Sequence, residues 1–341
     1  MTDVHDFSYY WQRLVADNLS GDDREGAFEA MMTGKADPIL VGAFLVTLRE
    51  RGETEEMLVS AARVLRRHAL RVKAPAGSLD SCGTGGDGQG TVNISTAVAL
   101  VVSACGVPVA KHGNRAQSSK CGSADVIEAL GIRLTADTAV LEKSLKSHNF
   151  AFLFAPYHHA AMKHVASVRQ ALKVRTLFNL VGPLANPCAV DYHLLGVADK
   201  KWLRPMAQSL ARLKVKGAWV VHSRDGNDEL SLNAPNDVLV WDGANLTSET
   251  INAAEVGLSP CPPQELQGGD AHHNAKRIHE VLQGKKDGLR DTVVLNSAAA
   301  LVISGKAPNV QQGVAMAQAC LDDGRAAKHL AAVVARFAGT A

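Results

Sequence analysis

Two short stretches of the chain hold the residue types that phosphate and metal chemistry need. Asp225-Gly-Asn-Asp228-Glu229 brings three carboxylates together directly after the apolar run Ala218-Trp-Val-Val-His222. On a loop, adjacent acids can reach one cation, and all-oxygen donors suit Mg²⁺. The same spacing also fits a solvated turn. Gly83-Thr-Gly85-Gly86-Asp87-Gly88 is the densest glycine cluster. It matches the GxGxxG dinucleotide pattern in form only, because no Asp or Glu lies between Asp87 and Asp125 to meet a ribose hydroxyl. No GxxxxGK is present, which excludes a Walker P-loop. A loop of successive backbone amides able to cradle an anion remains, beside the plainer reading of a turn without a ligand.

Three further groups join it. Asn93-Ile-Ser95-Thr96 opens an apolar helix, where free amides and the helix dipole favour a phosphate, or where the side chains merely cap. Lys111-His112-Gly-Asn114-Arg115 follows the apolar run Val107–Ala110, at the carboxyl end where α/β sheets gather ligands. Gly122-Ser123 opens another helix. This convergence suits a ligand with more than one phosphate. His158, His159 and His164 have the wrong spacing for a zinc helix. On one continuous helix, His158, Met162, Val165 and Arg169 would share a face, ending in a cation that could meet a carboxylate or simply face water.

The elements that position these residues alternate in character. The first 70 residues read as helices: a cap at Ser20, a cap at Asp37 with Pro38 at the first helical position, a stop at Gly52, and a periodic helix from about Glu53. Lys73-Ala-Pro-Ala-Gly-Ser78 reads as a linker. Strands are predicted at 107–110, 150–154, 193–197 and 218–222. Helices are predicted at 95–104, 123–130, 138–147, 158–172 and 201–213. The order argues an α/β fold with a mostly parallel central sheet. From Asn274 to about Phe337 the pattern is helical again.

At 341 residues, 46% hydrophobic and 21% charged, the chain has about two globular domains' worth of sequence and is not disordered. Its 36 basic and 34 acidic side chains leave a net charge of +2, which gives no general case for nucleic-acid or membrane-surface binding. Six scattered cysteines without a CxxC read as free thiols of a reducing cytosol. The uncharged stretch from Gly88 to Ala110 is long enough to span a bilayer, but Asn93, Ser95, Thr96, Ser103 and Pro108 interrupt it. It reads as a loop, a buried helix and a buried strand.

Six motifs appear together and in order: Gly83-Thr-Gly-Gly-Asp87, Asn93-Ile-Ser-Thr96, Lys111-His-Gly-Asn-Arg115, Gly122-Ser-Ala-Asp125, the run Arg175–Pro187, and Asp228-Glu-Leu-Ser231. In this the chain resembles the anthranilate phosphoribosyltransferase family, over nearly its whole length to Leu295-Asn-Ser-Ala-Ala-Ala300. The resemblance implies transfer of the phosphoribosyl group of phosphoribosyl pyrophosphate to anthranilate, with release of pyrophosphate, in tryptophan biosynthesis. It implies an α/β fold of the nucleoside phosphorylase and phosphoribosyltransferase kind. A small all-helical domain (1–72, joined by 165–188) would accompany a larger α/β domain (78–164 and 189–341). Gly83, Gly86, Asp87, Thr91, Asn93, Ser95, Thr96, Lys111, Ser119 and Ser123 would hold phosphoribosyl pyrophosphate. Gly83, His112, Asn114, His159 and Arg169 would meet anthranilate, and Ser95, Asp228 and Glu229 would hold Mg²⁺. A cytoplasmic homodimer without nucleic-acid or membrane partners is expected. Ala116, Gln117, Cys121 and Ala161 depart from common family residues, with expected effects on loop packing. A nucleoside phosphorylase-like enzyme of the pyrimidine type and a non-enzymatic nucleic-acid-binding relative are the alternatives.

Overall fold

The computed structural model describes residues 6–116 and 120–338. Four helices come first: α1 (Phe7–Val15), α2 (Gly21–Met32), α3 (Pro38–Arg51) and α4 (Glu55–His68). Their boundaries follow local chemistry. Ser20 and Asp23 form a reciprocal capping box, and the Asp37 carboxylate accepts from the amides of Ile39 and Leu40 ahead of Pro38. Gly52, at φ 88°, ends α3 in a conformation that a side chain would strain. In α4, Glu55 and Glu56 sit at the positive end and Arg66, Arg67 and His68 at the negative end.

From Leu79 onward strands and helices alternate: β1 (Leu79–Gly83), α5 (Ile94–Ala104), β2 (Val109–Gly113), α6 (Ser123–Ala129), α7 (Thr138–His148), β3 (Phe150–Phe154), α8 (Ala155–His158), α9 (Lys163–Leu172), α10 (Phe178–Val181), β4 (Tyr192–Gly196), α11 (Leu203–Arg212) and β5 (Gly217–Ser223). A hairpin, β6 (Asn236–Trp241) and β7 (Leu246–Ile251), leads to α12 (Pro263–Leu266), α13 (Ala271–Leu282), α14 (Gly288–Ile303), α15 (Val310–Asp322) and α16 (Arg325–Ala338). The seven strands form one sheet in the order β3-β2-β1-β4-β5-β6-β7. The first five are parallel; β6 and β7 run antiparallel. The chain moves outward from β1 through β2 to β3, then returns to lay β4 on the other side of β1. The order in which strands are added therefore reverses between the parallel neighbours β1 and β4, whose carboxyl ends pair at Gly83 and Gly196.

Alternation along β4 and β5 sorts two cores. Leu194, Trp219 and Val221 face the helices α5, α6, α7 and α13–α16. Leu195, Ala218 and Val220 face α1–α4, α9, α10 and α11. Both faces of the parallel strands are thus covered, which is why those strands read as continuous apolar runs.

Three expectations need correction. Three strands lie beyond those expected: β1, Leu79-Asp-Ser-Cys-Gly83, lacks an apolar run and is held by pairing with both β2 and β4; β6 carries the short apolar run Val238-Leu-Val-Trp241; and β7 is mostly exposed. The helix expected at 158–172 is broken. α8 ends at His158, His159 takes φ −116° and ψ 55°, a short 3₁₀ turn spans Ala160–Met162, and α9 begins at Lys163. His158 consequently does not share a helical face with Arg169. Its ring bonds the Leu70 carbonyl at 2.8 Å, which ties α8 to the segment after α4. Gly88–Ala110 forms the expected loop, helix and strand, and no helix among the described residues is long and apolar enough to cross a membrane.

Candidate active site

The switch point between β1 and β4 is built to let chain segments approach closely. A Cβ at Gly196 would overlap the carbonyl of Asp228, and one at Gly83 would overlap its carboxylate. Their absence lets the turn after β5 lie across the carboxyl edge of the sheet. The Asp228 carboxylate then accepts from the Gly85 amide at 2.9 Å. Gly85 and Gly86 have φ of 62° and 79°, with open space where a Cβ would stand. The glycine loop is therefore shaped by backbone conformation and left accessible to a ligand.

That approach closes an acidic cluster. One carboxylate oxygen from each of Asp87, Asp228 and Glu229 lies within 4.8 Å of the others. Among the described residues none of the three forms an ion pair. Asp228 is only 8% exposed. Burial, with Asp87 alongside, pushes its carboxyl up to about 6. Burial and the neighbouring Asp228 raise Glu229 well above the ordinary carboxylate range. Ser95, near the start of α5, lines the same small cleft. A set of oxygen donors that repel one another is stabilised by a divalent cation, and it fits Mg²⁺.

Lys111, expected among the phosphoribosyl pyrophosphate residues, lies close by and is buried. It is 2% exposed, and its ammonium donates to the Ser81 carbonyl and to the Ser95 hydroxyl. Burial lowers its pKa, opposed by Asp80 and the acids of the cleft. Beneath it is a buried polar network. Asp80 accepts from the His112 amide at 3.2 Å and from the Asn186 amide group at 2.8 Å, and burial lifts its carboxyl to about 6.

The glycine loop is pinned from outside as well. Gln89 reaches the Asp225 carbonyl at 3.3 Å, Thr91 bridges Gln267, and Gly268 donates to Gly90 at 2.8 Å. Gln267 and Gly268 sit between α12 and α13, in a stretch with no motif to draw notice. The Thr91 backbone is thus engaged. Asn93 stands at the cap position of α5, but its side chain donates to Cys121 O and accepts from Asn274 instead of capping. Thr96 is fully buried, and its hydroxyl has no hydrogen-bond partner among the described residues.

At the second helix N-terminus the turn is held by its own side chains. Asp125 accepts from the amides of Gly122 and Ala116, and Arg115 pairs with Asp125 and Glu128. Arg115 is thereby committed to holding this turn. Ser123 donates to the Asn114 carbonyl at 3.3 Å. Ser119 falls outside the described residues.

On the helical side, His112 and His159 meet edge to face with ring centroids 5.2 Å apart. Burial holds His112 well below its usual range and His159 down to about 4, so both are neutral at pH 7. Arg169, on α9, is partly buried with its guanidinium 5.7 Å from the Phe178 ring centre, and it forms no ion pair among the described residues. Asn114 is exposed at the end of β2. Among the described residues, no hydrogen bond, ion pair or ring contact joins Arg169 to Asn114 or to the two histidines.

Residues 76–327 match the α/β domain of a glycosyl transferase family, and residues 12–69 match that family's helical bundle domain. The class is therefore a two-part glycosyltransferase. Relatives narrow it further. The chain is 49% identical over 317 residues to the anthranilate phosphoribosyltransferase of Rhodospirillum rubrum, covering 93% of this chain and 91% of that protein. The enzyme of the same name from Parvibaculum lavamentivorans is 46% identical over 321 residues, 94% of each. The crystal structure of the Thermus thermophilus anthranilate phosphoribosyltransferase superposes with a TM-score of 0.91 at 39% identity, covering 97% of this chain and 99% of that one. The Saccharomyces cerevisiae anthranilate phosphoribosyltransferase in complex with PRPP and Mg gives 0.88 at 28% identity, covering 97% and 98%. The chain belongs to the anthranilate phosphoribosyltransferase family.

Proposed function

We propose that the chain catalyses transfer of the phosphoribosyl group from phosphoribosyl pyrophosphate to the amine of anthranilate, releasing pyrophosphate, as a step of tryptophan biosynthesis. Family membership over more than nine-tenths of the chain carries this reading. The acidic cluster facing the glycine loop supports it locally, because a nucleoside phosphorylase, which takes orthophosphate, has less need of a divalent cation. The acids are intact and the charge nearly balanced, which also sets aside a nucleic-acid-binding relative.

Asp228 and Glu229, with Asp87 beside them and Ser95 across the cleft, would hold Mg²⁺. When bound, the cation neutralises charge on the pyrophosphate as it departs. The chain's own residues do the rest. The amides of the Gly83–Gly88 loop face the phosphates, and α5 adds Ser95 and Thr96 at its positive end. Lys111 adds a fixed positive charge under the cleft. Gly83, Gly86, Asp87, Thr91, Asn93, Ser119 and Ser123 complete the phosphoribosyl pyrophosphate set in this reading. Asn114 and Arg169 receive anthranilate, Arg169 as the cation for its carboxylate. Neutral His112 and His159 line the approach without placing a charge beside the acceptor. The amine is itself the nucleophile, so positioning two substrates does most of the work, worth up to about 7–11 kcal/mol.

The chain divides in this reading into a small helical part (1–72 with 165–188) and a larger α/β part (78–164 and 189–341), with the site between them. It acts as a cytoplasmic homodimer. Ile39, 82% exposed on α3, supplies an apolar contact on the helical part.

The test follows anthranilate fluorescence with phosphoribosyl pyrophosphate, with and without Mg²⁺. Magnesium-dependent loss of the signal with stoichiometric pyrophosphate is expected. A folded protein that consumes neither substrate overturns the assignment.

A further inference from the structure

The Asp228–Glu229 turn is gripped at its upstream end by Gly85 and by the close fit of Asp228 against Gly196. Its downstream end is gripped by a residue with no assigned part in the reaction. Asn296, on α14, accepts from the Leu230 amide at 2.9 Å and donates to the Leu230 carbonyl at 2.9 Å. Its second amide hydrogen goes to the Thr292 carbonyl at 2.9 Å, one turn back on its own helix. The side-chain amide thus pairs with both backbone groups of Leu230 as a neighbouring strand would, next to the second acid.

Burial makes this grip consequential. Asn296 is 2% exposed and Leu230 fully buried, so neither partner has water as a substitute. Every hydrogen-bonding group of the amide but one lone pair is in use, which fixes its orientation. Asn296 also lines the cleft that holds Ser95, Asp228 and Glu229. The helix that carries it packs against α5, β4 and β5, the elements that bear the rest of the site.

We propose that Asn296 is a positioning residue that sets the direction of the Asp228 and Glu229 carboxylates toward the divalent cation. The inference rests on the metal role given above to those two acids. Three mutually repelling carboxylates do not converge unaided, and a backbone clamp on each side of the pair holds them ready before the cation arrives. Partners of this kind change metal affinity by about 10- to 100-fold when removed.

The test titrates Mn²⁺ by electron paramagnetic resonance into the full-length protein with phosphoribosyl pyrophosphate and no anthranilate. Wild type, Asn296→Ala and Asp228→Asn are compared. Asn296→Ala is expected to weaken Mn²⁺ binding at least 10-fold, while the KM for anthranilate at saturating metal stays within twofold. Equal Mn²⁺ affinity in a folded Asn296→Ala protein overturns the positioning role but leaves the metal role standing. Absence of Mn²⁺ binding in the wild type, or its persistence in Asp228→Asn, removes the metal role and this inference with it. Amide hydrogen exchange in the metal-free wild type decides the matter if the variant does not fold. A Leu230 amide already protected without metal supports a preset clamp. Protection appearing only when Mn²⁺ is added overturns it.

Discussion

Carboxylates crowded without an ion-pair partner make opposite demands on stability and activity. Asp228→Asn or Glu229→Gln should reduce kcat by at least about 100-fold. In metal-free buffer the same changes should leave Tm unchanged or raise it by about 2 °C, since each replaces a buried carboxyl of a repelling set with a neutral amide. Pyrophosphate release and thermal melts in EDTA check the two halves; a folded variant with wild-type turnover would refute the metal assignment. Arg169 stands in the reverse position, a partly buried cation with a ring beneath it and no acid beside it. Arg169→Ala should raise the KM for anthranilate by about 10-fold or more while the KM for phosphoribosyl pyrophosphate moves little. Equal changes in both would place Arg169 away from the acceptor. At this scale the sequence was legible by type more than by state. The acids, the glycines and Lys111 all stood out, yet local spacing could not tell a solvated turn from a buried one. What buries Asp228 is Gly196 and what orients Leu230 is Asn296, both remote in sequence and neither bearing a charge to draw attention.

Among the elements, the switch point has the narrowest tolerance. Gly196→Ala places a methyl group where the Asp228 carbonyl lies, so β4 and the acid turn must separate. Overpacking of this kind costs about 1–3 kcal/mol, and here the displacement falls on the carboxyl edge of the sheet, where the proposed site lies. The expected result is a kcat loss of about 100-fold or more, out of proportion to a drop in Tm of a few degrees. Melting and kinetics on one preparation check this; near-normal turnover would mean that the turn can move without consequence. Helices with local stop and start signals were readable in the chain, as Ser20, Asp37-Pro38 and Gly52 show. Strands were readable where burial on both faces made them apolar throughout, as in Phe150–Phe154. β1 escaped because its side chains are polar: the Asp80 carboxylate accepts from His112 and Asn186, and the Ser81 hydroxyl donates to the Ser95 carbonyl. In the hairpin, β7 escaped because it is polar and pairs on one side only, whereas the apolar run Val238-Leu-Val-Trp241 of β6 was there to be read. The break at His159 lacks a proline or glycine; the bond from His158 to Leu70 supplies it from outside the segment.

Across the whole molecule, buried ionisable groups make stability depend on pH in two opposed ways. His193 is fully buried; burial, with Arg66 adding to it, lowers its pKa to about 3. An unfolded histidine titrates near ~6.5, so below that pH the unfolded chain takes up a proton that the folded chain refuses. Its stabilising contribution is full above about 6.5 and is lost as pH falls toward about 3. Asp80 and Asp228, raised to about 6, act with the other sign, because the folded state holds their protons more tightly between about 6 and 4. Comparing wild type with His193→Leu isolates the first effect. The difference between their unfolding free energies should shift in the variant's favour by about 2 kcal/mol between pH 7.5 and pH 5. Urea titrations at fixed protein concentration measure it, and parallel curves would mean that His193 is protonated inside the fold. The layered α/β architecture and the helical part were legible from the alternation of patterns, whereas the seating of the helices on the second face of the sheet depended on contacts between distant segments.

The distances along the chain between the parts of the site also bear on how the protein comes into being. Gly85 meets a carboxylate 143 positions ahead of it, and Leu230 meets an amide 66 positions further on. Loops of that length must close before those contacts form, which is slow compared with helix formation in the first 70 residues. During synthesis the acids leave the ribosome well before α14 supplies Asn296. The helical part can thus be complete while the acid turn still lacks one of its clamps, and the proposed metal site is assembled only once α14 has been made.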